Sequence, residues 1–182
     1  MAQMSLKNST VYLWYGGGSS NRVAIRVGEG NITWSQSRTI EYTLDRGRIE
    51  YIDATNGGAA REGDDQPISA SFDLLWDWAS AASPVSVLEG FDPTDGETPI
   101  SSAHAADLCA PHAVTIEVVY APVCDDGGAV VHYIIPFFRY ESLIYDVGAG
   151  QISCSGTAQA KKVIVVTGQG TDPIADTVVD MG

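Results

Sequence analysis

From Arg22 onward, apolar and polar residues alternate in short runs separated by glycine, proline and acidic clusters. Val23, Ile25 and Val27 oppose Arg22, Ala24 and Arg26; Ile40, Tyr42 and Leu44 oppose Thr39, Glu41 and Thr43; Ile68, Ala70, Phe72, Leu74 and Trp76 oppose Ser69, Ser71 and Asp73. A period of two marks a strand with one buried and one wet face. The same pattern predicts strands over Ala113–Tyr120, Ala129–Ile135, Phe137–Tyr145, Gln151–Ala158 and Lys162–Thr167. In the first of these Val114, Ile116 and Val118 stand against Thr115, Glu117 and Val119. In the fourth, Ile152, Cys154 and Gly156 stand against Gln151, Ser153, Ser155 and Thr157.

Punctuation supports this division. Gly28-Glu29-Gly30, Asp45-Arg46-Gly47-Arg48, Asp125-Asp126-Gly127-Gly128 and Val147-Gly148-Ala149-Gly150 read as turns, and Pro136 as an edge or a bend. Ile32 and Trp34 open a strand that Ser35-Gln36-Ser37-Arg38 interrupts, so a bulge or bend is expected before Thr39. Ala54–Pro67 has no apolar anchor and reads as a long loop, a candidate for contact between copies. The one good helix covers 84–90, with Ser83 as N-cap and Pro84 at the first helical position. Val11–Tyr15 is a short apolar run, expected as a peripheral strand in an N-terminal arm over 1–21. The sum is about nine strands and one short helix, an all-β sandwich or barrel over 22–167, followed by an acidic C-terminal tail over 168–182.

With 182 residues, the chain is long enough for one domain with a real core. Its net charge is −13, and every charged side chain between Arg61 and Arg139 is acidic. Six of the ten basic residues lie from Arg22 to Arg61. That asymmetry argues against gripping nucleic acid, which needs bases against phosphate. It fits a surface that must not hold DNA, or acidic and basic faces that meet between copies. No apolar run reaches the roughly 18 residues of a membrane span, and the N-terminus lacks the pattern of a signal peptide.

Candidate chemistry is sparse. The cysteines are Cys109, Cys124 and Cys154, an odd count without a CxxC pair. Cys154 reads as a small core residue. Cys109 and Cys124 bracket a strand and could approach each other, though a reducing cytoplasm keeps them as thiols. The histidines are His104, His112 and His132; Cys109 and His112 have metal-like spacing, but a structural zinc wants four ligands. Gly168-Gln169-Gly170 lacks the Lys-Ser/Thr of a phosphate loop, and no Gly-x-Ser-x-Gly elbow occurs. Glu41 and Asp73 could pair for sugar hydrolysis. Their neighbours are small and polar, with no aromatic platform, so a solvated strand face is the expectation. No catalytic residue, metal or cofactor is expected.

Several segments in order, GEGNITW, EYTLDRG, REGDDQPISASFDLLW, CAPHAVTIEVVYAPVC and IPFFRYESLIYDVGAGQISCSGTA, resemble the tail tube (major tail) proteins of long-tailed, siphovirus-type bacteriophages. The resemblance runs from about Val23 to Ala158. It implies hexameric rings stacked into a hollow tube, with strands of all subunits closing an inner barrel through which DNA passes. Strands near Thr39–Leu44, Ile68–Trp76, Phe138–Tyr145 and Gln151–Thr157 would supply that barrel. Glu41, Thr43, Ser69, Ser71, Asp73, Gln151, Ser153 and Ser155 are then lumen candidates. Gly57, Gly58, Arg61, Glu62, Asp64 and Asp65 are candidates for the contact between rings. The implied partners are further copies of the chain, the tape-measure, tail-tip and tail-terminator proteins, and double-stranded DNA in transit; no membrane is involved. The implied location is the virion tail, assembled in the host cytoplasm. Alternatives are a virion decoration or adhesion sandwich, or the tube of a contractile injection device.

Overall fold

The computed structural model describes residues 9–15, 21–25, 27–42, 44–45, 48–49, 60–75, 83–94, 96–100, 112–120, 130–160 and 162–168. Strands β1 (Ser9–Trp14), β2 (Arg22–Ile25), β3 (Val27–Ser35), β8 (Ile68–Leu75), β9 (Val114–Tyr120), β10 (Val131–Asp146), β11 (Gln151–Ala158) and β12 (Ile164–Thr167) form one antiparallel sheet. Its order is β2-β1-β9-β10-β11-β8-β3, with β12 also on β10. Two short ladders lie outside it: β4 (Arg38–Tyr42) with β7 (Ala60–Asp65), and β5 (Leu44–Asp45) with β6 (Arg48–Ile49).

The 16-residue strand β10 organises the molecule. Its first half lies between β9 and β12; its second half pairs with β11. Pro136, which cannot donate to a ladder, and Phe137, in the left-handed region at φ 54°, mark the change of partner. The register with β9 shifts across Ile135 and Phe138. The bend expected at Pro136 is therefore present. It divides the sheet into two halves that fold over each other. Trp34 on β3 meets Tyr133 on β10 with ring centroids 5.9 Å apart, although β8 and β11 separate those strands in the sheet.

One core lies between the halves. Val11, Leu13, Ile116 and Val118 from one half join Phe72, Leu74, Ile152 and Cys154 from the other. Helix α1 (Pro84–Glu89) adds Val87 and Leu88. Its ends are built as expected. Ser83 accepts from the Ser86 amide, and Gly90 takes the left-handed conformation at φ 86°, which costs glycine least. His112 Nε2 lies 2.9 Å from the Val87 carbonyl.

Several expectations are corrected. Val11–Tyr15 was expected at the periphery, but β1 is paired on both sides, and Leu13 is fully buried. Gly28-Glu29-Gly30 lies inside β3, where the register with β8 shifts between Val27 and Ile32; the glycines serve a bulge instead of a turn. Ala60–Asp65, read as loop, is a strand on β4. A ladder there is satisfied by backbone hydrogen bonds, so it needs no apolar side chain and left no hydrophobic signal. Glu117, placed on a wet face, is 0% exposed. The sheet does not close into a barrel: among the described residues the outer edge of β2, the outer edge of β3 and the β9-side edge of β10 beyond Phe138 have no partner strand. Thr43, Gly57, Gly58, Trp76, His104, Cys109, Cys124 and the turn at Asp125–Gly128 lie outside the described residues.

Candidate functional site

The second half of β10, with β11, β8 and β3, presents a face of short hydroxyl side chains. Register builds it. Ile152, Cys154 and Ala158 on β11 and Ile68, Ala70, Phe72 and Leu74 on β8 are buried, so the alternate residues point away from the core. Across the strands, Ser35 faces Ser69, which faces Thr157. Thr33 faces Ser71, which faces Ser155, which faces Ser142. Asp73 faces Ser153, which faces Ile144. Leu75 faces Gln151, which faces Asp146.

The hydroxyls tie the strands together. Thr33 and Ser71 are 2.8 Å apart, and Ser35 and Ser69 2.7 Å. Both carboxylates that stand among the hydroxyls accept one of them: Ser153 Oγ donates to Asp73 at 2.6 Å, and Thr157 Oγ1 to Glu141 at 2.8 Å. Hydrogen bonds to an ionised acceptor are the stronger kind. Glu141 reaches this side because a bulge between Tyr140 and Ser142 shifts β10 by one residue. Gly156 permits the close approach of β11 there: an added Cβ would lie against the Arg139 carbonyl and 2.8 Å from Tyr140 Cα. Arg139 donates to Gln159 Oε1 at 3.1 Å. The face is open and shallow; two troughs run along it, one lined by Thr33, Ser71, Glu141 and Ser155, the other by Asp73, Ile144 and Ser153.

Six lumen candidates, Ser69, Ser71, Asp73, Gln151, Ser153 and Ser155, lie together on this face. Of the other two, Thr43 lies outside the described residues. Glu41 sits in β4 opposite Arg61, not beside Asp73, so no carboxylate pair forms between them in the ladder. Arg61, Glu62, Asp64 and Asp65 belong to β7. The fourth strand of the face is β3, where Thr39–Leu44 was expected. Thr33, Ser35 and Glu141 were missed; Thr157 was read on the same face of β11 as Gln151, Ser153 and Ser155 but not named with the lumen candidates. Ile32-Thr33-Trp34-Ser35 does alternate, so its signal was present; Glu141 depended on a bulge that alternation does not reveal.

A different polar group lies inside the other half. Trp14 Nε1 donates to Glu117 Oε2 at 2.7 Å, and His132 Nδ1 lies 2.7 Å from Glu117 Oε1. The Arg22 guanidinium stacks 4.5 Å from the Tyr12 ring centroid and 5.3 Å from that of Trp14. This network spans β1, β9 and β10 and is closed to solvent. Among the described residues, no cluster of His, Cys, Asp and Glu is arranged to hold a metal ion, and no helix is long and apolar enough to cross a membrane.

No protein-family model and no curated protein matches this chain. Among solved structures it is similar to the sheath/tube terminator of the extracellular contractile injection system PVC, determined by cryo-EM in the extended state. That similarity has 13% identity and a TM-score of 0.44, over 91% of this chain and 98% of the other.

Proposed function

We propose that this chain is a structural, self-assembling subunit of a phage-type tail tube, without enzymatic activity, and that its hydroxyl-rich face lines a conduit for DNA. One observation carries this: among the described residues the face is bounded by two open strand edges, β3 on one side and the second half of β10 on the other. Its strands alternate in direction. A second copy rotated about an axis along the strands therefore brings its β10 antiparallel to β3 of the first, and the hydroxyl rows continue across the junction. Closure by symmetry covers edges that would otherwise aggregate.

The chemistry of the face suits a conduit. Short hydroxyls leave the passage wide. Asp73 and Glu141, held by Ser153 and Thr157, repel phosphate. The order of the sequence segments that resemble siphovirus tail tube proteins supports the same assignment, with six subunits per ring. The partners are then copies of the chain, tape-measure, tail-tip and terminator proteins, and the location is the virion tail after assembly in the host cytoplasm.

Negative-stain electron microscopy across a concentration series, with mass measured in parallel, tests this. Rings or hollow filaments with sixfold symmetry are the expected result. A chain that is monomeric at every concentration points instead to a virion decoration or adhesion sandwich.

A further inference from the structure

Among the described residues no strand pairs with the outer edge of β3 or with that of the second half of β10. Each of these edges is regular over only a short length. On β3 the register shift between Val27 and Ile32 leaves residues 32–35 as the unbroken ladder with β8. On β10 the bulge between Tyr140 and Ser142 leaves residues 142–146 as the unbroken ladder with β11, and a turn over 147–150 follows. A bulge bends its strand and leaves a residue unpaired, so only the unbroken pieces offer a regular ladder to another strand. The same registers fix the faces. Thr33 and Ser35 share the hydroxyl-rich face with Ser142, Ile144 and Asp146; Ile32 and Trp34 share the opposite face with Leu143 and Tyr145. Ile144 and Tyr145 are 63% and 47% exposed, and Ile32, Trp34 and Leu143 pack only partly against the core.

We infer that residues 32–35 of one copy pair with residues 142–145 of the next in one register, staggered by two residues: Ile32 opposite Tyr145, Thr33 opposite Ile144, Trp34 opposite Leu143 and Ser35 opposite Ser142. The inference rests on the tube assignment above and specifies the junction that it leaves open. Rotation about the strand axis keeps the same face inward, so Thr33 can oppose only Ser142, Ile144 or Asp146; a slip by one residue would turn it against the other face. Within one chain Thr33 lies in a row with Ser71, Ser155 and Ser142. Continuing that row unshifted sets Thr33 on Ser142 and drives Trp34 and Ser35 across the bulge at Tyr140. A shift of four residues sets Thr33 on Asp146 and runs Ile32 into the turn. The two-residue shift alone seats all four residues of β3 on the unbroken part of β10. It also covers the two exposed apolar residues of that edge, Ile144 beneath Thr33 and Tyr145 over Ile32, while the hydroxyls stay inward. A shift repeated at every junction tilts the strands to the ring axis, as closure of a twisted sheet requires.

Three double variants read the register directly: Thr33→Cys with Ile144→Cys, Thr33→Cys with Ser142→Cys, and Thr33→Cys with Asp146→Cys. In one chain β8 and β11 lie between the two positions, so they are about 14 Å apart at ~4.8 Å per strand, beyond the roughly 7 Å reach of a disulfide. Any bond between them therefore joins two copies. Directly opposed residues have Cβ atoms about 4.5–5.5 Å apart and diagonal ones about 7–8 Å, so only the true pair links readily. Assembled material is oxidised beside the wild type, run on a denaturing gel, and the linked peptides are identified by mass spectrometry. The Thr33–Ile144 pair is expected to give a covalent ladder that reduction abolishes, and the other two pairs to lose it. A ladder from either other pair instead, or rings that link through none of the three, overturns the inference and leaves the tube assignment standing. A wild-type chain that is monomeric at every concentration removes both. Tyr145→Ser supplies a second reading, since it uncovers Ile32 of the neighbour but alters only an exposed side chain of its own copy. It is expected to need about tenfold more protein to form rings, with an unchanged urea midpoint; ring formation at the wild-type concentration would also overturn the register.

Discussion

Gly156 has no room for a side chain. Its Cα passes over the β10 bulge so closely that a Cβ would strike the Arg139 carbonyl and the Tyr140 backbone, neither of which is a flexible tip. Gly156→Ala is expected to cost about 1–3 kcal/mol through forced displacement of β11; urea denaturation of the variant with an unchanged midpoint would count against this. Cys154, beside it on the core face, is a thiol that burial pushes up to about 12 from 9.0. The unfolded chain loses this proton near 9.0 and the folded chain near 12, so its contribution is complete below pH 9 and is lost as pH rises toward 12. Native protein at pH 8 should therefore leave Cys154 unmodified by a thiol reagent, with labelling appearing only in denaturant; mass spectrometry of the Cys154 peptide checks it. Glu117 poses the opposite problem, a carboxylate inside the protein. Glu117→Leu strands the Trp14 indole N–H and His132 Nδ1, at an expected cost of about 1–3 kcal/mol for each buried group left without its partner. A variant as stable as the wild type would show that the network does not hold β1, β9 and β10 together.

At the level of elements, α1 is short and depends on its ends. Six residues are too few for a helix to persist alone, so the Ser83 cap, the Gly90 stop and two core side chains carry it. Ser83→Ala is expected to lower stability by about 1 kcal/mol, read as a shift in denaturant midpoint with unchanged slope. Strand β10 shows a different economy. A single strand serves both halves because Pro136 and Phe137 turn it and the bulge after Tyr140 restores its register with β11. Where β9 ends, no described strand pairs with the outer edge of β10, and Phe137, Tyr140 and Tyr145 are exposed along this half of the strand. An open edge with exposed aromatics is a liability in a monomer and an asset in an assembly.

For the whole molecule, the tube assignment makes the hydroxyl-rich face a surface that must let DNA slide. Converting Ser71 and Ser155, which face each other across β8 and β11, to arginine should reverse this. Ser71→Arg with Ser155→Arg is expected to retain duplex DNA in a filter or mobility assay, with retention falling steeply as salt rises, while the wild type retains none. Retention by the wild type under the same conditions would contradict a non-binding lumen. Both residues are exposed, so the exchange leaves the core untouched.

Much of the fold was legible because period-two alternation is local: β8, β11 and β12, the helix caps and the turn at Val147–Gly150 depend on neighbours in the chain. That Ser69, Ser71, Asp73, Gln151, Ser153 and Ser155 share one face of β8 and β11 was legible for the same reason. Which strands lie side by side was not. Alternation assigns a residue to one of two faces, and a strand with apolar residues on one side fits several positions in a sheet equally well; hence β3, and not Thr39–Leu44, completed the face. Polar strands such as β7 were invisible because backbone pairing gives them their stability. Glu117 was misplaced because burial of a polar group depends on hydrogen-bond partners remote in sequence, an indole from β1 and an imidazole from β10, that only the folded chain brings within 2.7 Å. The chain's alternation decides that it becomes sheet with one wet face. The bend in β10 and the long-range pairing decide which edges stay open, because hydrogen-bond partners across strands are set by three-dimensional register and leave no mark on local composition.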